Sequence, residues 1–99
     1  MTIHLYRVAT TTNSEALAGA IAHRLREGDG VNLQAYGLRQ TGIAAKGAAI
    51  AREYLLEEGV GLEVAIEQVQ IALTPELIKY GVRIGLRARE LYVEDTPAA

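Results

Sequence analysis

The residues of this chain that could take part in chemistry are cations placed close to glycines. Arg39 and Lys46 stand in the run from Gly37 to Lys46, and Arg52 follows six residues later. Guanidinium and ammonium groups beside the free N–H groups of a helix start are well suited to phosphate. The run lacks the Gly-Lys-Ser/Thr ending that a nucleotide-hydrolysing phosphate loop needs. These cations therefore predict contacts with a polyanion and argue against nucleotide hydrolysis.

A second group of cations alternates along residues 79–89. Arg83 and Arg87 fall on one face of this strand pattern, and they predict a further surface for phosphate. Glu63 and Glu67 lie on the neighbouring predicted strand. They support another interpretation, in which cross-strand ion pairs neutralise the arginines. The sequence leaves both interpretations open.

No side chains in the sequence have the spacing of a catalytic or metal site. His4 and His23 are far apart and have no carboxylates clustered at ligand spacing, so no metal is expected. The chain has no cysteine, which excludes disulfides and thiolate chemistry. No Ser–His–Asp or paired-carboxylate arrangement can be assembled. We therefore expect a protein that is not an enzyme and that needs no cofactor.

The composition predicts one small globular domain. The chain has 99 residues, of which 49% are hydrophobic, and it has neither Phe nor Trp. The core must therefore consist of aliphatic side chains, and few aromatic rings are left to stack on bases. No apolar run is long enough to cross a membrane, and the N-terminus does not resemble a signal peptide. We expect a cytoplasmic protein that does not associate with membranes.

The charge of the chain is unevenly distributed. The net charge is −2, but residues 1–52 hold six cations and three anions, whereas residues 53–99 hold four cations and nine anions. A local basic region can attract phosphate although the whole molecule is slightly acidic. The affinity for a nucleic acid is then expected to be low and sensitive to salt.

Periodicity and turn signals predict the elements that position these cations. Alternating apolar residues predict strands over 2–8, 31–36, 62–71 and 79–89. A spacing of four predicts a helix over 14–27, begun by a capping box of Thr12 and Glu15. A second helix, rich in Ala and Gly, is predicted over 41–58 after a loop at 37–40. We expect a single domain over 1–89 and a flexible tail over 90–99.

The order strand, helix, strand, helix, strand, strand predicts an α+β fold. Right-handed crossovers give a two-layer sandwich, with a four-stranded mixed sheet and both helices on one face. The other face of the sheet stays bare and carries Arg83 and Arg87. A second copy of the chain or a polymer is expected there.

Two segments together resemble a known family. They are Ala16-Leu-Ala-Gly-Ala-Ile-Ala, followed by Leu25-Arg26, and Leu33-Gln-Ala-Tyr-Gly37, followed by Ala44, Lys46, Ala49-Ile-Ala-Arg52 and Tyr54. Over about residues 5–89 the chain resembles the stage V sporulation protein S family. The resemblance implies an Alba-like fold, dimers or larger assemblies, and a nucleic-acid-binding or regulatory role in sporulation. It makes Lys46 and Arg52 the matching helix cations.

Three functions remain open. The leading hypothesis is a homo-oligomer, most simply a dimer, that binds DNA or RNA with low affinity and without sequence preference. Arg39, Lys46 and Arg52 would contact phosphates, and Arg83 and Arg87 would extend the surface. The alternative is an oligomeric interaction or scaffold protein that has lost nucleic-acid binding, which the net acidity favours. A third hypothesis, a small-ligand protein or enzyme using the glycine-bounded loop, lacks a nucleophile or base.

Overall fold

Four strands form one mixed sheet in the computed structural model, which describes residues 1–91 of the chain. The elements are β1 (Ile3–Arg7), α1 (Ser14–Arg26), β2 (Gly30–Ala35), α2 (Leu38–Glu57), β3 (Val60–Thr74) and β4 (Leu77–Glu90). The strand order is β1-β2-β4-β3, with β1 and β2 parallel and the other pairs antiparallel. The predicted fold class and element order are confirmed.

The core lies between the two helices and one face of the sheet. Val31 and Leu33 on β2 are fully buried, and they lie opposite Leu86 and Ile84 on β4. The helices complete the core with Leu17, Ile21, Leu25, Ala44, Ala48, Ala51 and Leu55. Because successive strand residues point to opposite faces, Asn32, Gln34, Arg83 and Gly85 project from the other side. We call that side the open face.

The two helices approach each other closely at Gly47. A Cβ atom at this position would lie 2.9 Å from Leu17 Cδ2 and 3.4 Å from the Ser14 carbonyl oxygen. At the C-terminal ends, Arg26 and Glu58 form an ion pair with N–O distances of 2.8–3.0 Å. The small residues of α2 therefore serve tight packing within the chain.

Helix α1 begins at Ser14 as predicted, but its cap and the start of α2 differ from the sequence prediction. Asn13, not Thr12, caps α1, because its Oδ1 accepts the Ala16 N–H at 2.9 Å. Thr12 Oγ1 accepts the Ala9 N–H instead, so the predicted capping box is wrong. Helix α2 begins at Leu38, three residues earlier than predicted, directly after Gly37 at φ 124°. Arg39 accordingly lies in the first helical turn and not in a loop.

Strands β3 and β4 form a long hairpin that continues beyond the rest of the sheet. They have 15 and 14 residues, whereas β2 has 6, and the turn between them falls at residues 75–76. Pairing with β2 ends at Val82, so residues 68–80 form a largely exposed arm. The longest dimension of the molecule is 60 Å. Strand β4 includes Glu90, where the tail was predicted to begin, and residues 92–99 of that tail lie outside the described residues.

Candidate nucleic-acid interface

A polar cleft separates the loop after β1 from the first half of α2. It has a volume of about 780 Å³ and is lined by residues 10–15 and by Arg39, Gly42, Ile43 and Lys46. Arg39 and Lys46 are seven residues apart, which is two helical turns, so they project from the same face about 10 Å apart along the axis. We call this site the basic cleft. It unites two of the cations that the sequence predicted.

Neither cation of the basic cleft is neutralised by a carboxylate within residues 1–91. Arg39 donates from Nε to the Thr10 carbonyl oxygen at 3.3 Å, which joins the loop to α2. No acidic oxygen in that part of the chain lies within 4 Å of Arg39 or Lys46. Both side chains are exposed. Their charge is therefore available to a ligand in the cleft.

The loop side of the cleft supplies hydroxyl groups and the start of α1. The Thr10 and Thr11 side chains line it beside Asn13, which caps the helix. Unpaired N–H groups in a first helical turn carry partial positive charge. Glu15 in the same turn also lines the cleft. Two cations therefore face one carboxylate, and the excess positive charge is small.

Arg52 does not reach the basic cleft. It is exposed on α2, but it follows Lys46 by six residues. At 100° per residue this spacing turns its side chain about 120° away from that of Lys46. The three cations that the sequence grouped therefore lie on two faces of one helix. That Arg52 contacts phosphate stays a prediction, and such a contact would lie outside the basic cleft.

Arg83 and Arg87 lie on the open face, in the layer opposite the basic cleft. Arg83 forms an ion pair with Glu67 at 3.1 Å. Arg87 lies opposite Glu63 in the strand register, although these two are not within 4 Å among the ion pairs of residues 1–91. The ion-pair interpretation is thus confirmed for Arg83. These arginines are not brought together with Arg39 and Lys46.

An exposed apolar patch lies where α2 meets the base of the arm, and sequence analysis missed it. Leu38 is 95% exposed, Ile66 69% and Tyr80 57%, and the three line a concavity of about 500 Å³. We call these three residues the apolar patch. They come from three different elements, so no local pattern brings them together. The signal that the sequence did contain was a large apolar residue directly after Gly37.

Shifted pKa values occur away from the cleft. A hydrogen bond with His4 at 2.9 Å, aided by the Thr2 N–H, holds the pKa of Asp29 below its ordinary value. Arg26 likewise lowers the pKa of Glu58. Both carboxylates hold elements of the fold together, so these shifts indicate structural roles.

Within residues 1–91 the structure has neither a metal-binding cluster nor a membrane-spanning helix. No group of three or more His, Cys, Asp or Glu side chains is arranged to hold a metal ion in that range. No helix there is both long and apolar enough to span a membrane.

The comparisons with known proteins agree with this fold. A family model described as Stage V sporulation protein S matches residues 4–88. Among solved structures, Alba from Thermoplasma volcanium is similar with a TM-score of 0.60, covering 85% of this chain and 99% of that one at 12% sequence identity. At that identity the likeness concerns the fold alone. No curated protein matches the chain.

Proposed function

The chain belongs to the stage V sporulation protein S family, and we propose that it is a non-enzymatic regulatory protein that binds the phosphate backbone of DNA or RNA through the basic cleft. One observation carries this proposal. Arg39 and Lys46 converge on a hydroxyl-lined cleft, and no carboxylate within residues 1–91 is paired with either of them. Unpaired cations on one face of a rigid helix are suited to a polyanion.

The composition of the cleft indicates weak binding without sequence preference. Two cations act against Glu15 and a net charge of −2. Two phosphate contacts correspond to a salt dependence with a slope of roughly −2 in a plot of log K against log salt concentration. Among residues 1–91 the cleft lining contains no aromatic ring, so these residues offer no base stacking.

The other predicted cations are outside this contact. Arg52 would add to the phosphate contact of the basic cleft only if the polymer also follows the surface of α2. Arg83 and Arg87 are on the opposite layer, and Arg83 is held by Glu67. The proposed contact therefore consists of Arg39 and Lys46, with the hydroxyl groups of Thr10 and Thr11 beside them.

The apolar patch supports self-association of the chain. Exposed apolar side chains that cluster in this way mark interaction surfaces, and two-fold dimers are the commonest protein assemblies. Leu38 in the patch directly precedes Arg39 in the cleft. In a two-fold dimer formed through the patch, one basic cleft would flank each side of the interface. Two clefts on one polymer would raise the overall affinity without any new contact.

A second candidate function is an oligomeric scaffold that does not bind nucleic acid. The position of Glu15 in the cleft favours it, because a carboxylate there opposes phosphate. The patch and the fold would serve this function equally well. The two candidates differ only in what the cleft binds.

Binding to a labelled duplex and to a labelled single strand, each at low and high salt, separates them. The Arg39→Ala/Lys46→Ala variant is expected to bind at least about tenfold more weakly at low salt. Arg52→Ala/Arg87→Ala is the matched control, since it removes the same charge elsewhere and should bind normally. No binding by the unmodified chain at low salt would favour the scaffold. An equal loss in the control would show that binding depends on overall charge and not on the basic cleft.

A further inference from the structure

The open face carries a charge pattern that complements itself, and we propose that it is a contact between two copies of this chain. This contact lies on the opposite layer from the basic cleft, so it does not depend on nucleic-acid binding. It adjoins the apolar patch, because Ile66 and Glu67 line the concavities of both surfaces, but its charged rows contain none of the three patch residues. The contact is formed by residues of β3 and β4, and each of the two copies contributes its open face.

The strand register arranges the charges in matched rows. Arg87 lies opposite Glu63, and Arg83 lies opposite Glu67. Between these rows, Gly85 lies opposite Ala65. Every β4 residue of the three rows is basic or small, and every β3 residue is acidic or small. The hairpin therefore presents one basic column beside one acidic column.

A two-fold axis can satisfy every charge in these columns. Consider an axis that lies between the two stacked sheets, runs parallel to the strands and passes midway between β3 and β4. This axis places β4 of one copy over β3 of the other. Arg83 then meets the partner's Glu67, and the pair within each copy closes a ring of four alternating charges. Arg87 and Glu63, which are register neighbours but form no ion pair within one copy, meet the partner's Glu63 and the partner's Arg87 across the same axis. An axis perpendicular to the strands would place Arg83 over the partner's Arg87, which is repulsive. The charge pattern thus selects one geometry.

The centre of the face leaves space for these long side chains. A concavity of about 420 Å³ lies over the small central row and is lined by Gly85, Ala65 and Asn32 together with the charged residues. Packed sheets stand about 10 Å apart. Arginine and glutamate side chains can span that gap from both copies, whereas Gly85 and Ala65 cannot. The charged rows therefore bridge the sheets, and the small row accommodates them.

The size of the contact indicates a weak and salt-sensitive association. The three rows span five residues of each strand, which gives a strip roughly 10 Å wide and 17 Å long, or roughly 170 Å² per copy. That is about a fifth of the area that each partner contributes to a standard interface. The isolated Arg83–Glu67 pair is partly exposed and contributes little alone. Stacking two such pairs supplies each carboxylate with a second guanidinium group.

A mixing experiment tests the proposal. Arg83→Glu/Arg87→Glu leaves only acidic charges in the three rows, and Glu63→Arg/Glu67→Arg leaves only basic ones. Neither variant should associate with itself through this face, because like charges would meet. An equimolar mixture should form a complex of twice the stoichiometry in sedimentation velocity at about 50 mM salt, and it should dissociate at about 500 mM. Circular dichroism establishes that each variant is folded.

The control separates specific pairing from general attraction between oppositely charged proteins. Glu53→Arg/Glu57→Arg has the same net charge as the basic-face variant, but its changes lie on α2. Its mixture with the acidic-face variant should not form the larger complex.

The proposal is overturned if the two face variants sediment unchanged when mixed, or if the control mixture associates equally. It is also overturned if Arg83→Glu/Arg87→Glu loses nucleic acid but self-associates normally, since a polymer would then occupy the face. Arg39 and Lys46 are intact throughout, so failure here leaves the proposed function unaffected.

Discussion

Arg83 lies between two partners on the open face. Its Nη1 is 3.1 Å from Glu67 Oε1, and across the β2–β4 pair it lies directly opposite Gln34. Arg83 Nε and Gln34 Oε1 are both buried without a hydrogen-bond partner among residues 1–91. Residues opposite each other in a sheet have Cβ atoms about 5 Å apart. The register therefore places a buried donor and a buried acceptor, neither of them hydrogen-bonded within residues 1–91, on directly opposite residues.

Replacing Gln34 by Leu is expected to destabilise the protein by about 1–2 kcal/mol. The change removes the buried amide oxygen of the residue opposite Arg83, and it also removes the Gln34–Tyr36 hydrogen bond of 2.7 Å. The free energy of unfolding in urea measures the effect. Glu67→Gln serves as the control, because it weakens a solvent-exposed ion pair and should cost less than about 1 kcal/mol. Equal losses in the two variants would contradict the proposed role of Gln34.

Neutralising Glu15 is expected to strengthen nucleic-acid binding. Glu15→Gln removes the one carboxylate that lines the basic cleft, and the affinity should rise about two- to fivefold. Fluorescence anisotropy with a labelled strand measures it. Glu57→Gln makes the same charge change about 16 Å along α2 from Lys46, beyond the range of unscreened interactions at moderate salt, and should have little effect. An unchanged affinity in Glu15→Gln would argue against binding at the cleft.

Gly81 is expected to tolerate no side chain. A Cβ atom there would lie 2.5 Å from the Ala35 carbonyl oxygen and 2.5 Å from Tyr36 Cδ1. The carbonyl belongs to a paired strand and cannot move away, so Gly81→Ala should cost about 2–3 kcal/mol. Gly19→Ala on α1 is the counterpart, since no atom would lie within 4 Å of its Cβ. That change should stabilise the protein by about 0.5–1 kcal/mol, and thermal unfolding reports both.

Acid is expected to weaken the fold through two carboxylates. The hydrogen bond with His4 lowers the pKa of Asp29, and the hydrogen bonds from Arg26 lower the pKa of Glu58, from ordinary values of 3.8 and 4.5. The unfolded chain therefore binds protons first as the pH falls. The stability that these contacts supply is complete above those ordinary values and is lost as the pH drops through the folded pKa values.

The urea midpoint between about pH 7 and pH 3 measures this loss. The Asp29→Asn/Glu58→Gln variant should be less stable at neutral pH and should lose less stability on acidification. Parallel curves for the variant and the unmodified chain would show that other groups control acid unfolding.

If the chain self-associates as proposed, the apolar patch is expected to hold the two copies together. Ile66→Asp places a charge at a position that is 69% exposed in the single chain, so it should leave the fold intact and shift the assembly towards monomer in sedimentation equilibrium. Leu73→Asp is the control, because Leu73 is similarly exposed at 56% but lies near the end of the arm. Dissociation by both variants, or by neither, would exclude the patch as the specific contact.

The regular elements were predictable because their periodicity is local. Val31, Leu33 and Ala35 alternate along β2 and are buried, as predicted. The start of α2 was not predictable in this way. Gly37 allows the chain to turn directly into the helix, and the Thr41 N–H bonds its carbonyl oxygen at 3.0 Å. Loop-forming and helix-capping glycines look alike in a sequence.

The candidate site was predictable only in part, for a related reason. Arg39 and Lys46 share a helix face only if α2 already includes Arg39, which the predicted start at residue 41 did not allow. The cross-strand pair of Arg83 and Glu67 could be predicted as one alternative, because side chains alternate between the two faces along each of the neighbouring strands. The apolar patch joins Leu38, Ile66 and Tyr80 across long stretches of chain, so only the tertiary structure reveals it.

The backbone at Gly37 has a consequence for how this protein can change. Its φ of 124° is rare for other residues, and a Cβ atom there would also lie 2.6 Å from Gln40 Oε1. This one turn sets the directions of both Leu38 and Arg39. Under the proposals above, a substitution at this single codon would disturb partner choice and phosphate capture together. The two traits would be inherited as a unit at this position.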